Sequence, residues 1–188
     1  LITTENATVG TVIENRRIVE LPLNGRNFLS LVALSPNVSA EFADAGQAGT
    51  RQGGSRANQQ ISISGQRREF NYYTLDGTDN TDVNFNTYIL LPSVDALEEF
   101  KVQTGSYSAE FGRSAGGVIN AVTRSGANTV HGSAFGFHRN SALDARNYFD
   151  PKDKPIPDFH RNQFGATFGG PLRRDRTFYF GAYEGLIE

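Results

Sequence analysis

Short runs of alternating apolar and polar residues set the texture of this chain, and stretches rich in glycine and proline separate them. A period of two marks a strand with one buried face. It predicts strands at residues 11–13, 61–64 and 72–75, and another through Phe100, Val102 and Thr104. A helical spacing occurs once: Phe28, Leu31, Val32 and Leu34 form a stripe over residues 26–34, with Asn24 as cap and Pro36-Asn37 as stop. Residues 41–60 are rich in Gly, Ala, Gln and Arg without periodicity, which predicts a loop. Asp76-Gly77 reads as a turn after the third strand. Residues 78–91 are polar with Phe85, Tyr88 and Ile89 embedded, a structured loop. Ser93 is placed to cap one helical turn through Leu97.

The stretch 107–128 carries the strongest local constraint. Gly112, Gly116 and Gly117 punctuate a turn that feeds a β-branched run, Val118, Ile119, Val122 and Thr123, ending at Ser125-Gly126. Glycine permits positive φ and close backbone approach, and β-branched residues suit a pleated, half-buried strand. Beyond it the alternation strengthens. Residues 133–137 alternate, residues 140–160 form a long loop holding Pro151, Pro155 and Pro157, and residues 162–169 place Phe164, Ala166 and Phe168 on one face. A short basic turn follows at 172–176. The strand 177–183 sets Phe178, Phe180 and Ala182 against Tyr179, Gly181 and Tyr183. Long loop, strand, short turn, strand is the asymmetry of outer-membrane barrels, and bulky residues on both faces of the last strand suit an interfacial girdle. An antiparallel meander in a soluble sandwich gives the same alternation.

Composition narrows the classes. The 188 residues carry a formal net charge of −2, enough chain for one domain or a domain plus part of another, with no basic excess to favour nucleic acid. The chain lacks cysteine, so disulfides and thiolate metal sites are excluded. No apolar run approaches the ~20 residues of a membrane-spanning helix, a test that leaves barrel strands untouched. A chain that begins at Leu1 reads as a fragment or processed product.

Several constellations invite a chemical reading. Gly112-Arg113-Ser114-Ala115-Gly116 fits the G-x-S-x-G elbow of a serine hydrolase, which needs a helix after the serine; a β-branched strand follows instead. Asp76, Asp79 and Asp82 recur closely but lack the spacing and terminal Glu of a calcium loop. His131, His138 and His160 are dispersed, without the paired spacing of a zinc site. Arg51, Arg56, Arg67 and Arg68 lie in a region without the interleaved aromatics of a nucleic-acid groove.

Six segments in order resemble one family, the TonB-dependent outer-membrane receptors, and within it the large Oar-like group of acidobacteria and myxobacteria. Leu21 to Phe28 (LPLNGRNF) with Leu34 to Val38 (LSPNV) resembles the opening helix and "PGV" turn, with Asn37 in place of Gly. ISISGQR, from Ile61, resembles the "IRG" strand, with Ser64 in place of Arg. YTLDGTDNT, from Tyr73, is similar to the "LDG" strand and turn, and ALEEFKVQTG, from Ala96, to the element that follows. The stretch 107–128 resembles the glycine signature, and the resemblance gives Asp76 and Gly77 of the "LDG" turn, with Gly112, Gly116, Gly117, Asn120 and Gly126 of this stretch, as structural positions of the plug. FGATFGGPLRRDRTFYFGAYEG, from Phe164, is similar to the early barrel hairpin.

The resemblance implies an α+β plug, a mixed β-sheet with short helices, over residues 1–128. The antiparallel strands of an incomplete transmembrane β-barrel follow over 129–188. It implies a gate for TonB-coupled uptake of a large or scarce ligand across the outer membrane of a Gram-negative bacterium, not an enzyme, with no cofactor and no metal. Its partners are TonB, through a segment upstream of Leu1, the rest of the barrel beyond Glu188, and an extracellular ligand. The family's plug apices map onto Gln66, Arg67 and Arg68, onto Asp76, Thr78 and Asp79, and onto residues 86–89, where Tyr88 offers an aromatic ring. A secreted adhesin or glycan-binding β-domain is the alternative from another class, and a hydrolase built on Ser114 the weaker one.

Overall fold

The computed structural model describes residues 9–21, 23, 26–42, 59–85, 87–105, 115–143, 145–146 and 158–187. The chain divides into two compact units, Leu1–Arg124 and Ser125–Glu188.

The first unit is built on a five-stranded mixed sheet. In chain order its strands are β1 (Val9–Glu14), β4 (Tyr72–Leu75), β5 (Thr78–Asp79), β8 (Leu97–Gly105) and β9 (Val118–Thr123), and their spatial order is β1-β8-β9-β4-β5. The β-branched run is therefore the central strand. It pairs antiparallel with β8 and parallel with β4, and both of its faces are largely covered, as expected for Val and Ile at such a position. Two small ribbons complete the unit: β2 (Val38–Phe42) with β3 (Gln59–Ile63), and β6 (Thr81–Asp82) with β7 (Thr87–Tyr88).

One apolar core holds these pieces together. Ile13, Ile18, Phe28, Leu29, Val32, Ile61, Ile63, Tyr73, Leu97, Phe100, Val102 and Ile119 are among its members. Phe28 and Phe100 stack at a tilt with ring centroids 5.2 Å apart.

Several expected elements change form. Residues 15–20, which carry no periodic signal, are helical (α1, Asn15–Glu20), tied down by the buried Ile18 and by Asn15 Nδ2 donating to the Leu97 carbonyl at 2.6 Å. The expected helix 26–34 is a 3-10 helix, Phe28–Leu34. Its cap is Asn27, whose Oδ1 accepts from the Leu29 N–H at 3.0 Å; Asn24 lies outside the described residues. Arg26 has φ +52°, which no right-handed helix admits. Leu34 is 66% exposed, and Leu29 takes its place in the core. The single turn after Ser93 spans Val94–Ala96 without a cap from the Ser93 side chain, and Leu97 already opens β8. Residues 38–42, the last two of them expected as loop, form β2 because β3 supplies the pairing partner.

The second unit is an antiparallel meander of β10 (His131–Asn140), β11 (His160–Arg173) and β12 (Thr177–Ile187). All three strands run longer than alternation alone suggests, and the basic turn shrinks to residues 174–176. Register separates the two faces. Phe164, Ala166 and Phe168 share one face with Gly136, Ala134 and Gly132 on β10 and with Gly185, Tyr183 and Gly181 on β12. Arg161, Gln163 and Thr167 lie on the other face and are buried. There the Ser133 and Thr167 hydroxyls bond at 2.8 Å and Gln163 Nε2 donates to Glu184. Phe135, Phe137, Phe180 and Leu186 share that face, so large apolar side chains stand on both faces of the meander while the buried polar ones collect on one, the side a barrel turns to its lumen.

Candidate functional site

Two tight turns present the expected site residues. At the first, Ser64 (φ +55°) and Gly65 (φ +72°) are both left-handed, and the Gln66 N–H closes the turn on the Ile63 carbonyl at 3.0 Å, the pattern of a type I′ turn. Ser64 stands where the family places Arg, and its position has a use. Its hydroxyl donates to the Thr104 carbonyl at 2.5 Å and its N–H to the Asn37 carbonyl at 2.8 Å, pinning the turn to the end of β8 and to the preceding bend. Asn37 itself has φ +61°, a region that Asn tolerates better than other side chains, so the departure from Gly leaves that bend intact.

Beyond the turn, Gln66, Arg67, Arg68 and Glu69 line an open groove of about 500 Å³ with Ser39 and Ser62. Gln66 and Arg67 are exposed, while Arg68 is half-buried and pairs with Glu69 at 3.5 Å. The groove thus combines a cation at the surface with hydroxyl and amide groups, a set able to bind an anionic or polyhydroxylated molecule.

The second turn is Asp76-Gly77 (φ +51° and +76°), a two-residue hairpin between β4 and β5. Asp76 does structural duty there. Its carboxylate accepts from the Thr123 N–H and from the Thr123 hydroxyl, both at 2.8 Å, which fastens the hairpin to the end of β9. Thr78 and Asp79 are exposed. Asp79 Oδ1 accepts from the Thr81 N–H, and Asp82 Oδ1 from the Asn84 and Phe85 N–H groups. No acidic or histidine cluster able to hold a metal occurs among the described residues.

Tyr88 sits elsewhere than at a binding surface. It is 4% exposed, in the core, edge-on to Tyr73 at 6.3 Å. The neighbouring loop instead exposes Ile89 and Leu90. Burial pushes the Tyr73 phenol up to about 12, against smaller lowering from Asn71 and Thr87.

Two amides missed from the sequence hold the site together. Asn71 is buried; its Nδ2 donates to the Ile61 carbonyl at 2.6 Å and its Oδ1 accepts from the Gly117 N–H at 3.3 Å. Asn80 clasps the following loop, donating to the Leu90 carbonyl and accepting from the Leu90 N–H. The glycine signature meets this seam directly. A Cβ on Gly116 would lie 2.8 Å from Asn71 Oδ1 and from the Phe70 carbonyl; one on Gly117 would lie 2.4 Å from Ile63 Cδ1. Asn120 accepts from the Thr74 hydroxyl at 2.8 Å across the parallel pair. Gly112, Ser114, Arg51 and Arg56 lie outside the described residues. Gly126, in the second unit, packs against the Tyr179 backbone, where a Cβ would meet the carbonyl at 2.3 Å.

Residues 4–119 match the TonB-dependent Receptor Plug Domain. The chain belongs to the TonB-dependent receptor family. Residues 122–188 match an Outer membrane beta barrel domain, so the protein is an outer-membrane protein of a Gram-negative bacterium. The TonB-dependent transporter Oar of Myxococcus xanthus is 34% identical over 163 residues, covering 84% of this chain and 14% of its own length. The siderophore receptor PirA from Acinetobacter baumannii superposes with a TM-score of 0.64 at 24% identity, over 94% of this chain and 24% of that one. The ferripyoverdine receptor of Pseudomonas aeruginosa, bound to ferripyoverdine, gives a TM-score of 0.64 at 16% identity, over 98% of this chain and 21% of that one. These structures share the receptor fold: a mixed-sheet plug, then antiparallel barrel strands. The chain spans a quarter or less of the length of each relative named.

Proposed function

We propose that the TonB-dependent receptor containing this chain is a gated importer. Its plug, residues 1–128, closes the barrel that residues 129–188 begin, and TonB, acting through a segment upstream of the plug, drives uptake of a scarce or large ligand. The observation that carries this reading is the order of parts: a sheet-built plug is followed by an antiparallel meander whose buried polar side chains, Arg161, Gln163 and Thr167, collect on one face, as on the lumen side of a barrel wall. Ligand contact is assigned to the groove at Gln66, Arg67 and Arg68 and to the exposed hairpin residues Thr78 and Asp79. Asp76 positions that hairpin, and Tyr88 supports the adjoining loop from the core. A surface guanidinium flanked by hydroxyls and an amide suits an anionic chelate, and the solved structures of like fold include a siderophore receptor. The receptor and transporter character of the family also speaks against a hydrolase.

The test is nutritional. Cells deleted for the full-length gene, and cells deleted for TonB, are grown on ferric chelates, cobalamin or glycans as sole scarce source. The same nutrient is expected to fail in both strains, and Arg67→Ala with Gln66→Ala to weaken growth on it while leaving receptor abundance unchanged. A nutrient that fails without the receptor yet is imported without TonB contradicts the reading.

A further inference from the structure

Three arginines crowd one turn of the second unit. Arg173 ends β11, Arg174 and Arg176 flank Asp175 in the turn, and all are exposed. The Arg176 N–H closes the turn on the Arg173 carbonyl at 3.1 Å. Asp175, at φ +59°, is the sole acid, and it is engaged. Its Oδ1 accepts from Asn128 Nδ2 at 2.7 Å while its N–H donates to Asn128 Oδ1 at 2.8 Å. This clasp fixes the turn and leaves the three arginines exposed around it. None of them has an ion-pair partner among the described residues.

An apolar patch adjoins the turn. Leu172 is 74%, Val130 65% and Phe168 55% exposed. Tyr179 shares one face of the meander with Phe168, their rings 5.7 Å apart, and its hydroxyl and Val130 flank Gly170. A cation cluster directly beyond an aromatic and aliphatic patch is an amphipathic corner. Neither half explains the other: a soluble anion has no use for the patch, and hydrocarbon has no use for the arginines.

We propose that this corner is a docking surface for an anionic phospholipid of the inner leaflet of the outer membrane. The acyl chains lie against Val130, Phe168 and Leu172, Tyr179 sits at the interface, and Arg173, Arg174 and Arg176 hold the phosphate. The guanidinium fork matches phosphate oxygens two at a time, where a lysine offers only a point charge. Tyrosine is favoured at the boundary between hydrocarbon and headgroup. The proposal rests on the receptor reading, which puts short barrel turns on the periplasmic side.

The experiment uses the full-length receptor in detergent micelles containing equal phosphatidylglycerol and phosphatidylcholine, with retained lipid counted by native mass spectrometry. The wild type is expected to retain phosphatidylglycerol over phosphatidylcholine by about tenfold, in line with the pull of several basic side chains on anionic headgroups. Arg173→Gln/Arg174→Gln/Arg176→Gln brings the ratio near parity. Leu172→Asn lowers retention of both lipids. Heat-modifiable gel migration checks the fold of each variant, and Arg174→Gln alone serves if the triple variant does not fold. A wild type without preference, a folded arginine variant with the preference intact, or displacement of phosphatidylglycerol by equimolar free glycerol phosphate overturns the proposal. Sidedness is read separately with Arg174→Cys and a membrane-impermeant maleimide. Labelling only after the outer membrane is permeabilised supports the periplasmic placement, whereas labelling of intact cells overturns the receptor reading whatever the lipid preference in micelles.

Discussion

Tyr73 is the residue whose titration the fold changes most clearly. Its phenol is buried, and loss of water opposes the phenolate, which carries its pKa from the ordinary value of 10.0 to about 12. Below pH 10 both folded and unfolded chains hold the proton, and the group does not affect stability. Between 10 and 12 the unfolded chain releases the proton and the folded chain retains it, so stability falls as pH rises and levels off above 12. Each pKa unit corresponds to about 1.4 kcal/mol, so the plug of the full-length receptor is expected to lose about 1 kcal/mol between pH 9 and pH 11 through this group. Urea unfolding followed by hydrogen exchange on plug peptides measures the slope. Tyr73→Phe should flatten it, and an equal slope in the variant assigns the loss to other groups.

Between elements, the decisive seam is where residues 116–117 cross Asn71 and Ile63. β9 lies parallel to β4 and antiparallel to β8 because two glycines let the backbone pass there without a side chain. Gly117→Ala is expected to destabilise the plug by about 1–3 kcal/mol, the usual range for overpacking. Gly136→Ala, in open space on β10, is expected to change stability by less than about 0.5 kcal/mol. Urea titration of the two variants side by side decides it, and equal midpoints would contradict the seam.

The same level shows what the sequence made legible. Period-two strands and the Asp-Gly hairpin follow from local pattern, and the mixed sheet and its sequel of barrel strands follow from the ordered family motifs. Helix α1 was hidden because its six residues carry one buried side chain, Ile18, too few for a periodic signal. β2 was hidden because its strand character comes from β3, across a long sequence gap. At the site, the motif resemblance pointed to the turn of Gln66 to Arg68, but it could not report that Asp76 is spent on Thr123 or that Tyr88 points into the core. Asn71 and Asn80 carry no local mark either. Burial of one amide among many is decided by tertiary packing.

For the whole molecule, the proposed gate makes one mechanical demand: residues 1–124 would have to stopper a channel whose wall residues 125–188 begin. A barrel wall with polar side chains inward encloses a water-filled lumen unless something fills it. The direct measurement is ion conductance across planar bilayers. The full-length receptor is expected to stay closed, and the receptor lacking residues 1–124 to give large, steady channels while keeping heat-modifiable barrel migration. A folded deletion variant that conducts no more than the full-length receptor would contradict the gate.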